Sequence, residues 1–388
     1  MTNLDRLKTI LSTADPADQV TVQIDGQSLR LSASELGSGL GLKPPRKLKR
    51  VFVTSAAQPS LRIRSQPRTT APMVNRLFPG EIVDVVDAPL VEGDGYKWLQ
   101  LADGRGWIAA QYTASLENNF PPSTWKLPFT AAHRGVHASA GGWSPDDRQI
   151  DLVRRNRIEV TLIVAYEAGQ AVSAVSRFRD AGVRHFVVRA SLHKPPTANP
   201  GEFVQQTKAV LGEYAQALSG LPLLICVHNE PNLIAEGYAS AWRNGAEFAA
   251  WFKAVAAAYR TLFPGAKIGF PALSPGIAIP GIRADELTFQ RESISAVADA
   301  DWVGVHYYWA RADGTDINPP ADRWRAWFGG KPIVATEVGP TDQNVVTTAA
   351  MRLAFQRFSV LGIPVIGFIL NGAGGWENAA WDAHNIIC

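Results

Sequence analysis

The chain has 388 residues and a formal net charge of +3 at pH 7, with 46% hydrophobic and 19% charged residues. These are ordinary values for a globular protein with a large core, and the length predicts one to three domains. The charge is too small to indicate a nucleic-acid partner, and no run of 18 apolar residues predicts a membrane span. Two cysteines, Cys226 and Cys388, predict neither a disulfide framework nor a metal site.

Residues 1–50 are predicted to form an N-terminal segment and a linker. The stretch VTVQIDGQSLRLSA alternates around Asp25 and Gly26, which predicts a β-hairpin. Glycines, two prolines and a basic cluster make GSGLGLKPPRKLKR typical of a linker. No secretory signal peptide is recognisable, because Asp5 precedes too few apolar residues.

Residues 51–115 contain short alternating stretches separated by turns, which predicts a small all-β barrel. The stretch LRIRSQPRTTAPMVNRLFPGEIVDVV, followed by YKWLQLADGRGWIAAQYT, resembles bacterial SH3-like domains. The resemblance implies a ligand in the cell wall, either peptide or glycan. A spacer that only packs on its neighbour is an equally good interpretation.

Residues 116–132 are predicted to be a second linker, and residues 133–388 to be a (β/α)8 TIM barrel. The second segment is close to the ~250 residues typical of that α/β fold. Eight apolar stretches alternate with helical patterns, and they are predicted as strands at 135–139, 160–166, 185–190, 223–229, 267–272, 302–308, 333–337 and 364–370. An open, doubly wound sheet is the alternative, but no glycine-rich phosphate loop follows the first strand.

Polar side chains follow the predicted strands, at the end where a β/α barrel carries its active site. Two are carboxylates, Glu230 after strand four and Glu337 at the end of strand seven. Counting in steps of two places Cys226 and His228 on the side of Glu230, and Ala335 on the side of Glu337. The other candidates for substrate binding are His137, Arg189, Asn229, His306, Tyr308 and Trp376.

Two carboxyl groups that face each other across a cleft are suited to hydrolysis of a glycosidic bond. One gives its proton to the leaving oxygen, and the other attacks the anomeric carbon when the two are ~5–5.5 Å apart. This chemistry needs no cofactor. Sugar rings also stack on aromatic faces, for which the candidates near strand ends are Trp143, Tyr166, Trp309 and Trp376.

The predicted barrel resembles the clan of retaining glycoside hydrolases that carry catalytic glutamates on strands four and seven. The matching motifs are Asn229-Glu230-Pro231 after strand four, DWVGVHYYW at strand six and PIVATEVGP at strand seven. The resemblance implies that Glu230 is the acid/base, Glu337 the nucleophile and Asn229 the partner of the sugar 2-hydroxyl. It further implies that His306 and Tyr308 line the site, with Tyr308 hydrogen-bonded to the nucleophile.

Two further features of the clan, an aromatic platform and an arginine, match this sequence less closely. The clan has an aromatic platform at the end of strand eight, for which Trp376 is the candidate several residues later. It also has an arginine on strand two, whereas Arg189 lies on the predicted third strand.

The sequence thus predicts a retaining glycoside hydrolase that cleaves a β-linked polysaccharide or oligosaccharide by double displacement with two glutamates. One alternative is a peptidoglycan-lytic glycosidase of the phage-lysin type, anchored by the SH3-like domain. Others are a non-catalytic glycan-binding barrel and a structural phage or surface component. We expect the protein to be extracellular or released to the cell wall.

Overall fold

A computed structural model describes residues 19–24, 27–32, 48–57, 59–115, 123–139, 145–341, 344–372 and 375–388. Most of the predicted N-terminal segment and part of the second predicted linker lie outside these residues, as does Trp143. Contacts within the chain divide it into two compact units, Met1–Glu117 and Asn118–Cys388.

The first unit begins with an antiparallel pair of strands, β1 (Gln19–Ile24) and β2 (Gln27–Ser32). Val22 lies opposite Leu29 in this pair, and Ile24 lies opposite Gln27. The hairpin that the alternating sequence predicts is therefore confirmed.

Eight further short strands of the first unit form two sheets. Their bounds are β3 (Leu48–Val53), β4 (Leu61–Arg64), β5 (Met73–Leu77), β6 (Ile82–Val86), β7 (Val91–Gly93), β8 (Tyr96–Gln100), β9 (Trp107–Ala109) and β10 (Thr113–Ser115). The three-stranded sheet has the order β10-β3-β6, and the five-stranded sheet has the order β5-β4-β9-β8-β7. Short 3-10 helices lie at Ser55–Ala57 and Ala110–Tyr112.

Both sheets contribute to one apolar core. It contains Val51 and Val85 of the first sheet and Ile63, Trp98 and Ile108 of the second. The described residues between 48 and 115 therefore form a small all-β body around one core. Its membership of the SH3-like family and its cell-wall ligand stay predictions.

The second unit is a closed barrel of eight parallel strands. The strands are β11 (Arg134–His137), β12 (Val160–Ala165), β13 (His185–Ala190), β14 (Leu224–Val227), β15 (Lys267–Phe270), β16 (Trp302–Trp309), β17 (Ile333–Pro340) and β18 (Val365–Gly367). They pair in chain order, and β18 closes the ring against β11. The predicted TIM barrel is confirmed, and the alternative of an open sheet is wrong.

Helices alternate with the barrel strands. They are α1 (Asp147–Arg155), α2 (Ala171–Asp180), α3 (Pro200–Ala217), α4 (Gly245–Leu262), α5 (Glu286–Ser293), α6 (Ala321–Phe328), α7 (Thr348–Val360) and α8 (Trp381–His384). Short 3-10 helices lie at Ile234–Glu236, Ile294–Asp299 and Glu377–Ala379. Within the described residues, no helix is long and apolar enough to cross a membrane.

The sequence explains where the longer helices begin and which face they bury. The Asn244 side chain accepts a hydrogen bond from the Glu247 amide, which caps an otherwise unpaired donor at the start of α4. Apolar residues at spacings of three and four, including Phe248, Phe252 and Val255, then bury one face of α4. These helices hold the barrel strands in place from outside.

The barrel interior is filled by side chains that alternate along the strands, such as Leu162, Leu224 and Trp302. Trp302 is fully buried, and Gly269 lies opposite it, where a Cβ atom would come within 2.3 Å of the indole ring. Residues 123–132, within the second predicted linker, contribute Phe129 to the same core. The packed interior leaves the polar residues at the strand ends to form a site.

Candidate active site

The end of β14 turns away from regular strand geometry. Leu224 and Cys226 face the barrel core, but the backbone φ angle is 67° at His228 and 30° at Glu230. These positive values are uncommon for residues other than glycine. The His228 ring consequently lies outside the barrel wall, among Phe203, Trp242 and Trp251.

The predicted common side for Cys226, His228 and Glu230 is therefore wrong at His228. The change of backbone conformation brings Glu230 back towards the barrel axis, where its carboxylate contacts His306. The irregularity at the end of β14 is thus located at His228 and Glu230.

Strand β17 contains a second irregularity. Val334 faces the barrel core, so a regular strand would place Thr336 in the mouth instead of Glu337. The pairing between β16 and β17 shifts by one residue, and Glu337 lies opposite His306. This bulge turns the Glu337 side chain inward, and the predicted common side for Ala335 and Glu337 is wrong.

The Glu337 carboxylate lies among four polar side chains from three other strands. Arg189 Nη1 of β13 donates to Glu337 Oε1 at 2.5 Å, and the Tyr308 hydroxyl donates to Oε2. His306 Nε2 and His137 Nε2 lie 3.5 Å and 3.7 Å from Oε1. The structure thus gathers His137, Arg189, His306 and Tyr308 around one carboxylate, with the arginine on the third strand.

The surroundings of Glu337 favour its ionised form. Burial alone would raise its pKa, but the neighbouring His306 and Arg189 lower the pKa to about 2. Conversely, burial would lower the pKa of Arg189, and the charge of Glu337 raises it above its ordinary value. Glu337 therefore carries a negative charge at any ordinary pH.

Glu230 has a different environment. His306 Nδ1 and Glu230 Oε1 are hydrogen-bonded at 2.8 Å, while the other nitrogen of the same ring faces Glu337. The Glu230 side chain is 13% exposed, compared with 5% for Glu337. One imidazole ring therefore joins a buried, ion-paired carboxylate to a second carboxyl group that solvent can reach.

His137 supports Glu337 without a charge of its own. Burial and the positive charge of Arg189 lower the pKa of His137 to about 3, so its ring is neutral at neutral pH. Its Nε2 atom accepts from Arg189 Nη1 at 3.3 Å, and its ring packs edge-on against Phe368. Arg189 is thereby oriented by His137 as well as by Glu337.

Aromatic residues surround Phe368, which follows β18. Tyr308 and Trp376 both pack edge-on against this ring, with centroids 6.1 Å and 4.9 Å away. Trp376 thus packs on the same ring as Tyr308, although it follows β18 by several residues. The prediction of Trp309 as another sugar platform is wrong, because this side chain is only 1% exposed.

A third carboxyl group, Glu236, lies beside the strand-four motif and was not a predicted site residue. Asn229 Nδ2 donates to Glu236 Oε1 at 3.3 Å. Burial and the charge of Glu230 raise the pKa of Glu236 to about 7, against the opposing effect of the Asn229 hydrogen bond. The sequence offers only the loop IAEGYASAWRNGAE after strand four, in which nothing distinguishes Glu236 from a solvated acid.

Among the described residues, no group of three or more His, Cys, Asp or Glu side chains is arranged to hold a metal ion. The described parts of the site offer carboxylates, imidazoles, a guanidinium and a phenol as reacting or binding groups. Such a set can transfer protons, attack an electrophilic carbon and stabilise charge.

No protein-family model and no curated protein sequence matches the chain. Solved structures of similar shape include an endo-β-1,3-glucanase of GH128 subgroup IV from Lentinula edodes, with 17% identity over 62% of this chain and 84% of that one, and a TM-score of 0.41. A glycoside hydrolase family 30 subfamily 8 xylanase from Clostridium acetobutylicum shows 16% identity over 65% and 70% of the two chains, with a TM-score of 0.43.

An endo-β-1,4-mannanase from Thermotoga petrophila shows 12% identity over 61% of this chain and 67% of that one, with a TM-score of 0.39. At TM-scores below 0.5, these similarities carry no argument about activity. The fold assignment rests instead on the closed ring of eight parallel strands, and the function on the site itself.

Proposed function

We propose that the protein is a retaining glycoside hydrolase that cleaves a β-linked glycan by double displacement. Glu337 is the nucleophile, and Glu230 is the acid/base. The observation that carries this proposal is the difference between the environments of the two carboxyl groups. Glu337 is buried and held ionised by Arg189, whereas Glu230 is partly exposed.

In the first step, a Glu337 oxygen forms a bond to the anomeric carbon as the bond to the leaving oxygen breaks. Glu230 gives its proton to that oxygen. In the second step, Glu230 takes a proton from water, the water oxygen bonds to the anomeric carbon, and Glu337 leaves as a carboxylate. Two inversions retain the configuration.

The neighbouring side chains have roles that follow from their contacts. Arg189 and Tyr308 hold both oxygens of Glu337 in place and keep the carboxylate charged. His306 fixes the relative position of the two carboxyl groups through its two nitrogens. We assign to Asn229, one residue before Glu230, the contact with the sugar 2-hydroxyl, and to Trp376 the role of a platform for a sugar ring.

The proposal is tested by incubating the purified full chain with soluble β-glucans, mannans, xylans and peptidoglycan, and by following the product anomers with NMR. We expect cleavage of a β-linked glycan with the β-anomer formed first. Formation of the inverted anomer would contradict the mechanism, and a failure to cleave any of these glycans would contradict the proposed function.

The assignment of the two glutamates is tested with Glu230→Gln and Glu337→Gln, which preserve side-chain shape. We expect each to lower turnover by several orders of magnitude while circular dichroism stays unchanged. Glu247→Gln, at an exposed glutamate on α4 that pairs with Arg243, is the matched control and should retain full activity.

A further inference from the structure

A groove in the first unit is lined by basic and aromatic side chains. It encloses about 500 Å³, which lies within the ~300–1,000 Å³ typical of ligand sites. Its basic residues are Arg62 and Arg64 of β4 and Arg76 of β5, and its aromatic residues are Tyr96, Trp98 and Tyr112. The groove therefore combines positive charge with aromatic surface.

The register of the strands brings the three arginines to one face of the five-stranded sheet. Arg62 lies directly opposite Arg76 in the antiparallel pair of β4 and β5, where Cβ atoms are only ~5 Å apart. Arg64 follows two residues later on the same face, whereas Ile63 between them is fully buried in the core. Arg64 Nη1 also donates to the Ala71 carbonyl at 2.8 Å, which fixes its direction. Three positive charges are thus held close together.

This positive charge is not balanced within the described part of the chain. None of the three arginines forms an ion pair with a described acidic residue, and none of the residues that line the groove is acidic. Two other arginines of the unit do have acidic partners, Arg50 at Asp84 and Arg105 at Asp103. Like charges directly opposite each other destabilise a sheet, so an anion between the opposed arginines would relieve a repulsion.

The aromatic side of the groove indicates a ligand larger than a simple anion. Tyr96 and Tyr112 are both partly exposed, so their rings can contact a ligand. Trp98 is only 4% exposed and packs against Tyr96, with the ring centroids 6.0 Å apart. Its indole nitrogen donates to the Gly93 carbonyl at 2.9 Å, which holds this pair of rings in place. A fixed aromatic wall of this kind can pack on the apolar face of a sugar ring.

We propose that this groove binds an acidic polysaccharide through the carboxylates on its sugar rings. A guanidinium group can donate two parallel hydrogen bonds to one carboxylate. Three such groups on one face therefore suit a polymer whose charge repeats from ring to ring, while the two tyrosines contact the rings. The inference concerns the first unit alone and does not depend on the proposed function.

Two other classes of anionic polymer fit the groove less well. Peptides often bind as an added strand at a free sheet edge, but β4, which carries two of the arginines, lies between β5 and β9. A nucleic acid is attracted by extensive positive charge, whereas the net charge of the whole chain is only +3. An acidic polysaccharide requires neither a free strand edge nor a strongly basic protein.

The ligand class is tested with the full chain by isothermal titration calorimetry, with hexagalacturonate as the acidic oligosaccharide. Its linkages are α, so the proposed activity on β-linked glycans does not consume it. We expect binding that weakens as the salt concentration rises. The fully methyl-esterified hexasaccharide keeps the rings without the charges, and its affinity should be at least about tenfold lower. Equal affinity for the two sugars, or no binding of hexagalacturonate, would overturn the inference.

The position of the site is tested with Arg62→Gln/Arg76→Gln, which removes the two opposed charges. Both side chains are exposed, so the circular dichroism spectrum and the unfolding temperature should be retained. We expect the affinity for hexagalacturonate to fall at least about tenfold. The matched control is Arg50→Gln/Arg105→Gln, which removes the same charge elsewhere in the unit and should bind as the wild type does. Equal losses in both variants would overturn the assignment of the groove.

The contact with the sugar ring is tested with Tyr96→Leu. We expect it to lower the affinity for hexagalacturonate about twofold to tenfold, and to leave unchanged the affinity for hexaglutamate, which has carboxylates but no rings. An unchanged affinity for hexagalacturonate would contradict the contact. Hexaglutamate and an oligonucleotide of six thymidines should each bind the wild type more weakly than hexagalacturonate. Equal or tighter binding of either would assign the groove to a peptide or a nucleic acid and overturn the inference.

Discussion

The guanidinium of Arg189 lies 2.5 Å from the Glu337 carboxylate, and both side chains are almost completely buried, at 4% and 5% exposure. Because the arginine comes from β13 and the glutamate from β17, this ion pair spans the barrel mouth. A buried charge that loses its partner costs far more than an exposed one.

Arg189→Met is therefore expected to destabilise the barrel by about 3–5 kcal/mol, because it leaves the Glu337 carboxylate unpaired. The double variant Arg189→Met/Glu337→Gln should recover part of this loss in urea unfolding. Arg105→Met removes an exposed pair with Asp103 and should cost at most about 1 kcal/mol. Additive effects of Arg189→Met and Glu337→Gln on the free energy of unfolding would contradict a direct pair.

Tyr308→Phe removes the hydroxyl that donates to Glu337 Oε2. We expect kcat/KM to fall about tenfold or more, since a hydrogen bond to a charged group contributes about 1.5–3 kcal/mol. Tyr307→Phe is the matched control, because the Tyr307 hydroxyl bonds to the backbone of Asp316 and Asn318. Equal losses of activity in both variants would contradict the role of Tyr308.

Glu337, the proposed nucleophile, should remain ionised in acid, because its surroundings lower its pKa to about 2. A 2-deoxy-2-fluoro glycoside with a dinitrophenyl leaving group needs no acid catalyst, so its reaction reports the nucleophile alone. We expect labelling of Glu337, read by mass spectrometry of the peptide, at equal rates from pH 4 to 6. A rate that falls as the pH drops over this range would contradict an ionised Glu337.

The stability of the fold should depend on pH through Glu236. Burial and Glu230 raise the pKa of this group from 4.5 to about 7, so between these values the folded chain binds more protons than the unfolded chain. The contribution of Glu236 to the free energy of unfolding therefore falls as the pH rises from about 4.5 to 7.

Glu236→Gln removes this dependence, and relative to the wild type it should be more stable at pH 8 than at pH 5. The difference should be on the order of 1–2 kcal/mol, since the side chain is 24% exposed and the full effect of the pKa shift is screened. Urea unfolding at the two pH values measures it. The same stability difference at both pH values would contradict a raised pKa.

Gly269→Ala should destabilise the barrel by about 1–3 kcal/mol, because the added Cβ would come within 2.3 Å of the buried Trp302 ring. Gly212→Ala, in α3, meets nothing within 4 Å and should stabilise the protein by about 0.5–1 kcal/mol. Thermal unfolding of the two variants gives the comparison. A shift of the unfolding temperature in the same direction in both variants would contradict the close packing at Gly269.

The fold could be predicted because the barrel strands are apolar and regularly spaced along the chain. Stretches such as VTLIVAY and HFVVRA are bounded by turns and separated by helical patterns, which identifies alternation of strand and helix without any tertiary information. The end of each predicted strand then identifies which residues lie at the rim of the barrel.

The direction of those side chains could not be predicted. Counting in steps of two fails at His228, where the backbone φ angle is positive, and again at the bulge beside Glu337. Both irregularities depend on contacts with other strands and helices. Glu236 was missed for a related reason, because only the folded loop brings it against Asn229.

The loop at Ile234–Glu236 is held to the barrel by two consecutive residues. His228 Nε2 donates to the Glu236 backbone carbonyl at 2.6 Å, and Asn229 donates to the Glu236 carboxylate. Replacement of this loop by another sequence would thus remove a hydrogen bond to the backbone and a hydrogen bond to a side chain together. A replacement loop that keeps Glu236 should preserve the geometry around Asn229. The aromatic residues that surround the His228 ring should be kept as well.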